Sequence, residues 1–150
     1  MLGNEDAENL PPEERARRER LREGAGGITS FNIDRHMHQF VFTLSGRLFC
    51  GDLRTFDIRE VKTTGSVFDP RIAPTGDRIA HVSGKALRVV DLAGEDFELV
   101  GPTTLNEPEH VSWGSAEFVA AEEMNRYRGY WWAPSGHHIA ACRVDESPIH

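Results

Sequence analysis

Hydrophobic and polar positions change rhythm once along this chain, near residue 28. Residues 1 to 10 are polar and expected to be disordered. Pro11 onward reads as a helix, with proline near its start, Glu13 and Glu14 in its first turn and Gly24 beyond its end. Glu13 with Arg17 and Glu14 with Arg18 are favourable i,i+4 pairs, each worth a few tenths of a kcal/mol. Only Ala16 and Leu21 offer apolar contact, so this helix is expected to be largely solvated. Gly24-Ala25-Gly26-Gly27 reads as a hinge, which separates residues 1–27 from a folded unit over 28–150. From Ile28 the pattern becomes short β runs, with turn residues at roughly every eight to twelve positions.

Those runs repeat. Phe40 to Leu44 is a strand, Ser45-Gly46 a turn and Arg47 to Leu53 the return. The run Val82 to Leu92 repeats the turn, the basic residue, the apolar strand and the closing Asp-Leu; Gly46 to Gly84 is 38 residues. A second repeat matches Ile72-Ala73-Pro74-Thr75-Gly76-Asp77-Arg78-Ile79-Ala80 with Trp132-Ala133-Pro134-Ser135-Gly136-His137-His138-Ile139-Ala140. Units of about 40 residues built from several short strands are the signature of β-propeller blades. The predicted fold class is therefore all-β: a partial β-propeller of about two to three blades, with an N-terminal helix. The second repeat is offset by 60 residues, from Pro74 to Pro134. That exceeds one blade by about 20 residues, and the surplus holds a short helix carrying Glu122 and Glu123. An insertion between regular strands is where such folds place function rather than packing. An all-β sandwich with one decorated loop is the alternative. A ring needs at least four blades, so the segment looks incomplete, and open strand edges would favour association with copies or a partner.

Composition narrows the classes. The chain has 150 residues, 27% of them charged, and a formal net charge of −7. Phosphate contacts require a basic face, so nucleic acid is not expected as a partner; the Arg15 to Arg22 run is interleaved with glutamates. No apolar run approaches the roughly 20 residues of a membrane span, and the opening Met-Leu-Gly-Asn-Glu-Asp lacks the pattern of a secretory signal. Cys50 and Cys142 lie far apart in β segments and read as free buried thiols, so a cytoplasmic location is expected.

The candidate chemistry centres on the inserted segment. At about 100° per residue, Ala120, Ala121, Met124 and Tyr127 share one helix face, and Glu122, Glu123 and Arg126 the other. Adjacent carboxylates repel unless a cation lies between them. Either Arg126 neutralises Glu122 on a solvated face, or the pair clamps a cationic amine through charge-assisted hydrogen bonds. Residue types alone leave both open.

The run Ala116 to Tyr127, then Gly129-Tyr130-Trp131-Trp132 and Pro134, with Arg143-Val144-Asp145-Glu146-Ser147-Pro148 downstream, closely resembles the propeller domain of the dipeptidyl peptidase IV family. These are serine exopeptidases of the prolyl oligopeptidase group. The likeness is specific over residues 111–148 and weaker over 28–110. It implies an eight-bladed propeller capping an α/β-hydrolase domain, with Glu122 and Glu123 holding the free N-terminus of a peptide substrate. An amine anchored roughly 7 Å from the nucleophile would measure out two residues. Tyr127, Trp131 and Trp132 are the candidate cavity lining. The resemblance also implies an arginine on the substrate carbonyl, with Arg35 and Arg47 as candidates. The departures matter equally. No Gly-x-Ser-x-Gly elbow occurs in the sequence, and nothing corresponds to the hydrolase domain that carries the Ser/Asp/His triad. The segment alone is expected not to hydrolyse peptides.

No cofactor or metal is called for: His36 and His38 on one strand face, and His137 and His138 after a turn, lack further ligands. Asp145 and Glu146 read as a strand-end turn rather than an acid–base pair. The function expected is thus substrate recognition for a dipeptidyl-peptidase-like enzyme. A non-catalytic propeller interaction module, or a plain β scaffold with a surface salt bridge at the Glu pair, are the alternatives.

Overall fold

The computed structural model describes residues 10–21, 27–28 and 30–148. Residues 1–9 of the expected disordered start, and the hinge through Gly26, lie outside these residues. Helix α1 (Pro12–Leu21) precedes a four-stranded antiparallel sheet of β1 (Phe31–Ile33), β2 (Gln39–Leu44), β3 (Arg47–Asp52) and β4 (Ile58–Val61), paired in chain order. A second sheet of identical order follows: β5 (Phe68–Ile72), β6 (Arg78–Ser83), β7 (Ala86–Asp91) and β8 (Asp96–Val100). The short α2 (Pro102–Leu105) leads into β9 (Val111–Trp113), α3 (Phe118–Glu123), β10 (Tyr130–Trp132), β11 (Ile139–Ala141) and β12 (Arg143–Asp145). These are two complete blades and the beginning of a third.

The turns explain why the strands return where they do. Ser45 and Gly46 both take positive φ, 51° and 74°, as a two-residue hairpin of matching twist requires. This aligns Leu44 with Arg47 and carries the register to Gln39 and Asp52. Gly76 and Gly136 occupy equivalent positions of the repeated Pro-x-Gly turn, with φ of 77° and 74°.

The blades bury their faces against one another. Val41, Leu48, Cys50 and Val61 of the first sheet meet Val67, Ile72, Ile79 and Val90 at the second. The other face of the second sheet packs Phe68, Ala80, Val82, Leu87 and Val89 against Tyr130, with Trp113, Trp132, Ile139 and Ala141 beside them. A sheet covered on both sides loses polar alternation, which is why Ile79 to Val82 are all buried. The first strands of neighbouring blades touch: Asn32 Oδ1 accepts the amide of Ile72 at 3.0 Å. That side of the stack is the axial one.

Tyr130 fastens the third blade to the second. Its side chain is fully buried, and its hydroxyl, within reach of both carbonyls, meets Asp69 O and Ala80 O, the latter at 2.8 Å. Burial pushes the phenol well above its ordinary pKa. Trp132 adds a bond from Nε1 to Arg71 O at 3.1 Å. Tyr130→Phe keeps the ring and strips the carbonyls of this partner, so a loss of about 1–2 kcal/mol is expected in urea denaturation.

The N-terminal helix is exposed at Pro12, Arg15 and Glu19 and buried along one edge, where Leu10 and Glu14 are each 8% exposed and Glu14 receives both Nε and Nη2 of Arg17 at 2.9 Å. The expected i,i+4 pairs need the side chains of Glu13 and Arg18, which lie outside the described residues. One expectation needs correction: His36 and His38 do not share a strand face. They fall in the turn between β1 and β2, where the Asp34 carboxylate accepts the amides of His36, His38 and Gln39.

Candidate functional site

The third blade's first strand is split. β12 pairs antiparallel with β9, Arg143 opposite Trp113, and β11 pairs antiparallel with β10, Tyr130 opposite Ala141. Between them Cys142 bonds across the gap: its carbonyl accepts the amide of Gly114, and its amide donates to Gly129 O at 2.8 Å. β9 and β10 are thus two halves of one strand, with the chain leaving at Gly114 and returning at Gly129. A bridge between Ser115 and Arg128, and the bond from Ala116 N to Tyr127 O, close the stem of the excursion. The backbones cross so closely that a Cβ on Gly129 would meet Ser115 C and O at 2.3 Å.

Within the excursion Glu117 caps α3, accepting the amides of Val119 and Ala120 at 2.7 Å each. The helix is shorter than the periodicity suggests. It ends at Glu123, Met124 is its C-cap, and Asn125 turns to a φ of 51°. Arg126 bonds through its amide to Ala120 O and through Nη1 to Arg128 O. Met124, expected on the apolar face, is 70% exposed, whereas Ala120 is buried.

Glu122 and Glu123 are both exposed on this last turn. A helix C-terminus carries negative partial charge, and no basic residue occupies the last turn here. Two carboxylates at that end oppose the helix, a placement that stability alone does not favour. Of the other candidate residues, Tyr127 packs at the edge of the second core and lines a cleft of about 380 Å³ under the stem. Trp132 faces the second blade. Trp131 points the opposite way, 37% exposed, beneath the guanidinium of Arg128 at 5.5 Å. Arg35 is exposed in the β1–β2 turn, and Arg47 is exposed and engaged by Glu60 across β3 and β4. The arginines at the cleft are Arg17, Arg71, Arg126 and Arg128. Sequence reasoning did not group these because they come from three separate stretches of chain and read as ordinary surface charge.

Deeper in the second blade lies a polar cluster that the sequence did not reveal. His81 is wholly buried, with Nε2 3.3 Å from Asp96 Oδ1. Asp96 also accepts Nε of Arg88 at 3.2 Å and the amide of Thr64 at 2.6 Å. Burial alone would raise the Asp96 pKa; the His81 and Thr64 hydrogen bonds and the charges of His81 and Arg88 override it, bringing the group from 3.8 to about 2. Cys50 is buried and free, with its pKa raised chiefly by burial; Cys142 is free but only half-buried, at the junction of β11 and β12. Asp145 ends β12 and accepts the amide of Ser147 at 3.0 Å. Among the described residues no cluster of His, Cys, Asp and Glu could hold a metal ion, and no helix is long and apolar enough to cross a membrane.

Stacked four-stranded blades with a third blade begun define this chain as part of a β-propeller. The crystal structure of Porphyromonas gingivalis dipeptidyl peptidase 4 shares that fold, at a TM-score of 0.64 and 16% identity over 82% of this chain and 19% of that one. A family model described as dipeptidyl peptidase IV (DPP IV) N-terminal region matches residues 30–150, and the chain belongs to this family. Human dipeptidyl peptidase 8 is 28% identical over 137 aligned positions, which cover 81% of this chain and 15% of that protein.

Proposed function

We propose that the segment between Gly114 and Gly129 is a substrate-recognition element, with Glu122 and Glu123 receiving the free ammonium end of a peptide destined for dipeptidyl cleavage. The observation that carries this reading is the placement of two adjacent carboxylates at the negative end of a capped helical turn, with no basic residue in that turn. The turn rises from the first, axial strand of its blade, the side on which neighbouring blades converge. A cation brought between the two side chains relieves both their mutual repulsion and their conflict with the helix. The chemistry of bond cleavage would reside in a hydrolase domain, and this part would contribute position and length selection.

The test is a comparison of a free-amine dipeptide amide with its N-acetylated counterpart, by calorimetric titration of the chain. The free amine is expected to bind at least about tenfold more tightly, and Glu123→Gln or Glu122→Gln to remove most of that preference, since one charge-assisted bond contributes about 1.5–3 kcal/mol. Equal binding of the two ligands would rule the clamp out.

A further inference from the structure

The cleft under the stem contains chemistry that the ammonium clamp does not use. It lies between α1, β5 and residues Asn125 to Arg128, and among the described residues four arginines line it against two carboxylates, Glu14 and Asp69. Arg17 is neutralised by Glu14, with two bonds of 2.9 Å. Arg71 is neutralised by Asp69, whose Oδ1 lies 2.9 Å from Nη2 and 3.1 Å from Nε. Arg126 and Arg128 have no carboxylate partner among the described residues, and cations outnumber carboxylates among the described lining residues in a chain of net charge −7.

Arg71 and Arg128 are fixed in place rather than waving in solvent. β5 carries a bulge between Phe68 and Arg71, and within it Asp69 takes a φ of 45°, a left-handed conformation that non-glycine residues rarely adopt. Bulges re-aim side chains next to functional sites, and this one sets the Asp69 carboxylate against the Arg71 guanidinium. Arg128 is held from two directions: its Nε donates to Tyr130 O at 2.8 Å, and its plane sits over Trp131. Both Nη groups of Arg128, and Nη1 of Arg71, make no hydrogen bond to the described residues and remain to serve a ligand. Burial, and then the charge of Arg71, depress the pKa of Arg128, so the two cations sense each other. Like charges held together and partly desolvated are stabilised by an anion between them. A planar guanidinium fork suits the paired oxygens of a carboxylate or phosphate.

We propose that this cleft is an oxyanion-binding site in which Arg71 and Arg128 grip a carboxylate or phosphate group. Phe68 and Tyr127 line the same cleft and offer apolar area to the body that carries the anion. Neither Glu122 nor Glu123 is among the residues that line the cleft.

Its test is titration of the chain with three probes: inorganic phosphate, N-acetyl-dialanine as the free acid, and the same peptide as its amide. Saturable binding of the free acid or of phosphate, with none of the amide, is expected. If the acid alone binds, the natural ligand is a peptide carboxylate; if phosphate is preferred, it is a phosphate ester. Arg128→Gln is expected to weaken the preferred probe at least tenfold, whereas Arg54→Gln, which removes an exposed arginine paired with Asp52, leaves it within twofold. Should Arg128→Gln fail to fold, Arg128→Lys retains the charge and loses the fork, and a several-fold weakening is expected. Binding of the amide as tight as that of the acid, equal loss in the Arg54 and Arg128 variants, or no saturable binding of any probe would each overturn the proposal.

Discussion

Asp96→Ala is expected to lower the folding stability of the chain by about 3–5 kcal/mol, the range found when one partner of a buried charge cluster is removed. The side chain is only 4% exposed, and it unites the fully buried His81 with Arg88 and the amide of Thr64. Without it, Arg88 loses its carboxylate on β8 apart from a 3.9 Å approach to Glu98. Nε2 of His81 then has no hydrogen-bond partner among the described residues, and Nδ1 already has none. Acid offers a separate handle on the same group. Its pKa in the folded chain, about 2, lies below the ordinary 3.8. A depressed carboxylate contributes stability that is present above the unfolded value and disappears as pH falls through the folded one. The gap is worth about 2 kcal/mol. Urea midpoints of the wild type should therefore drop between pH 4 and pH 2, and those of Asp96→Asn should drop less across the same window. Parallel curves for the two proteins would show that another group governs the acid transition.

Gly129→Ala is expected to damage both stability and recognition. A methyl group there would overlap backbone atoms of Ser115, with no flexible side-chain tip able to move aside. Overpacking of this kind costs about 1–3 kcal/mol or more. The strain would be released at the weakest nearby contact, the single bridge between Ser115 and Arg128. Opening that bridge displaces Arg128 and Tyr127 together, so ammonium and oxyanion binding should both fall, by more than tenfold, alongside a lowered melting temperature. Retention of both affinities would mean that the stem does not position the excursion. Gly114, where the chain leaves, is constrained in another way: its φ of 81° is one that side chains rarely adopt, and its neighbours are side-chain atoms of Val82 and Leu87 at 3.1 to 3.2 Å.

The sequence carried more of the architecture than of the sites. Repeated turn chemistry can be read locally, because Pro fixes one angle and Gly supplies another; the hairpins at Gly46, Gly76 and Gly136 fall where the repeats put them. The surplus length between the two Pro-x-Gly turns correctly marked an insertion. Its manner of insertion was hidden, because β9 and β10 are three residues each and show no periodicity that declares them one strand. Tyr130 was lost in an aromatic run, although its neighbour Trp132 was singled out; which of three consecutive rings is buried is decided by register against β11, not by composition. The pairing of His81 with Asp96 joins β6 to β8 of the second blade, and Arg71 and Arg128 reach one cleft from two blades. Such contacts follow from tertiary assembly alone. The helix was overextended because Asn125 is compatible with a helical pattern, yet here adopts the left-handed turn that stops it.

The severed strand has one further implication. Departure and return occupy adjacent rungs against a continuous partner, so the sheet is indifferent to how much chain lies between them. The Ser115–Arg128 rung is a natural splice point: a longer, shorter or wholly foreign loop grafted there should leave the host blade intact, which makes the excursion a replaceable cartridge.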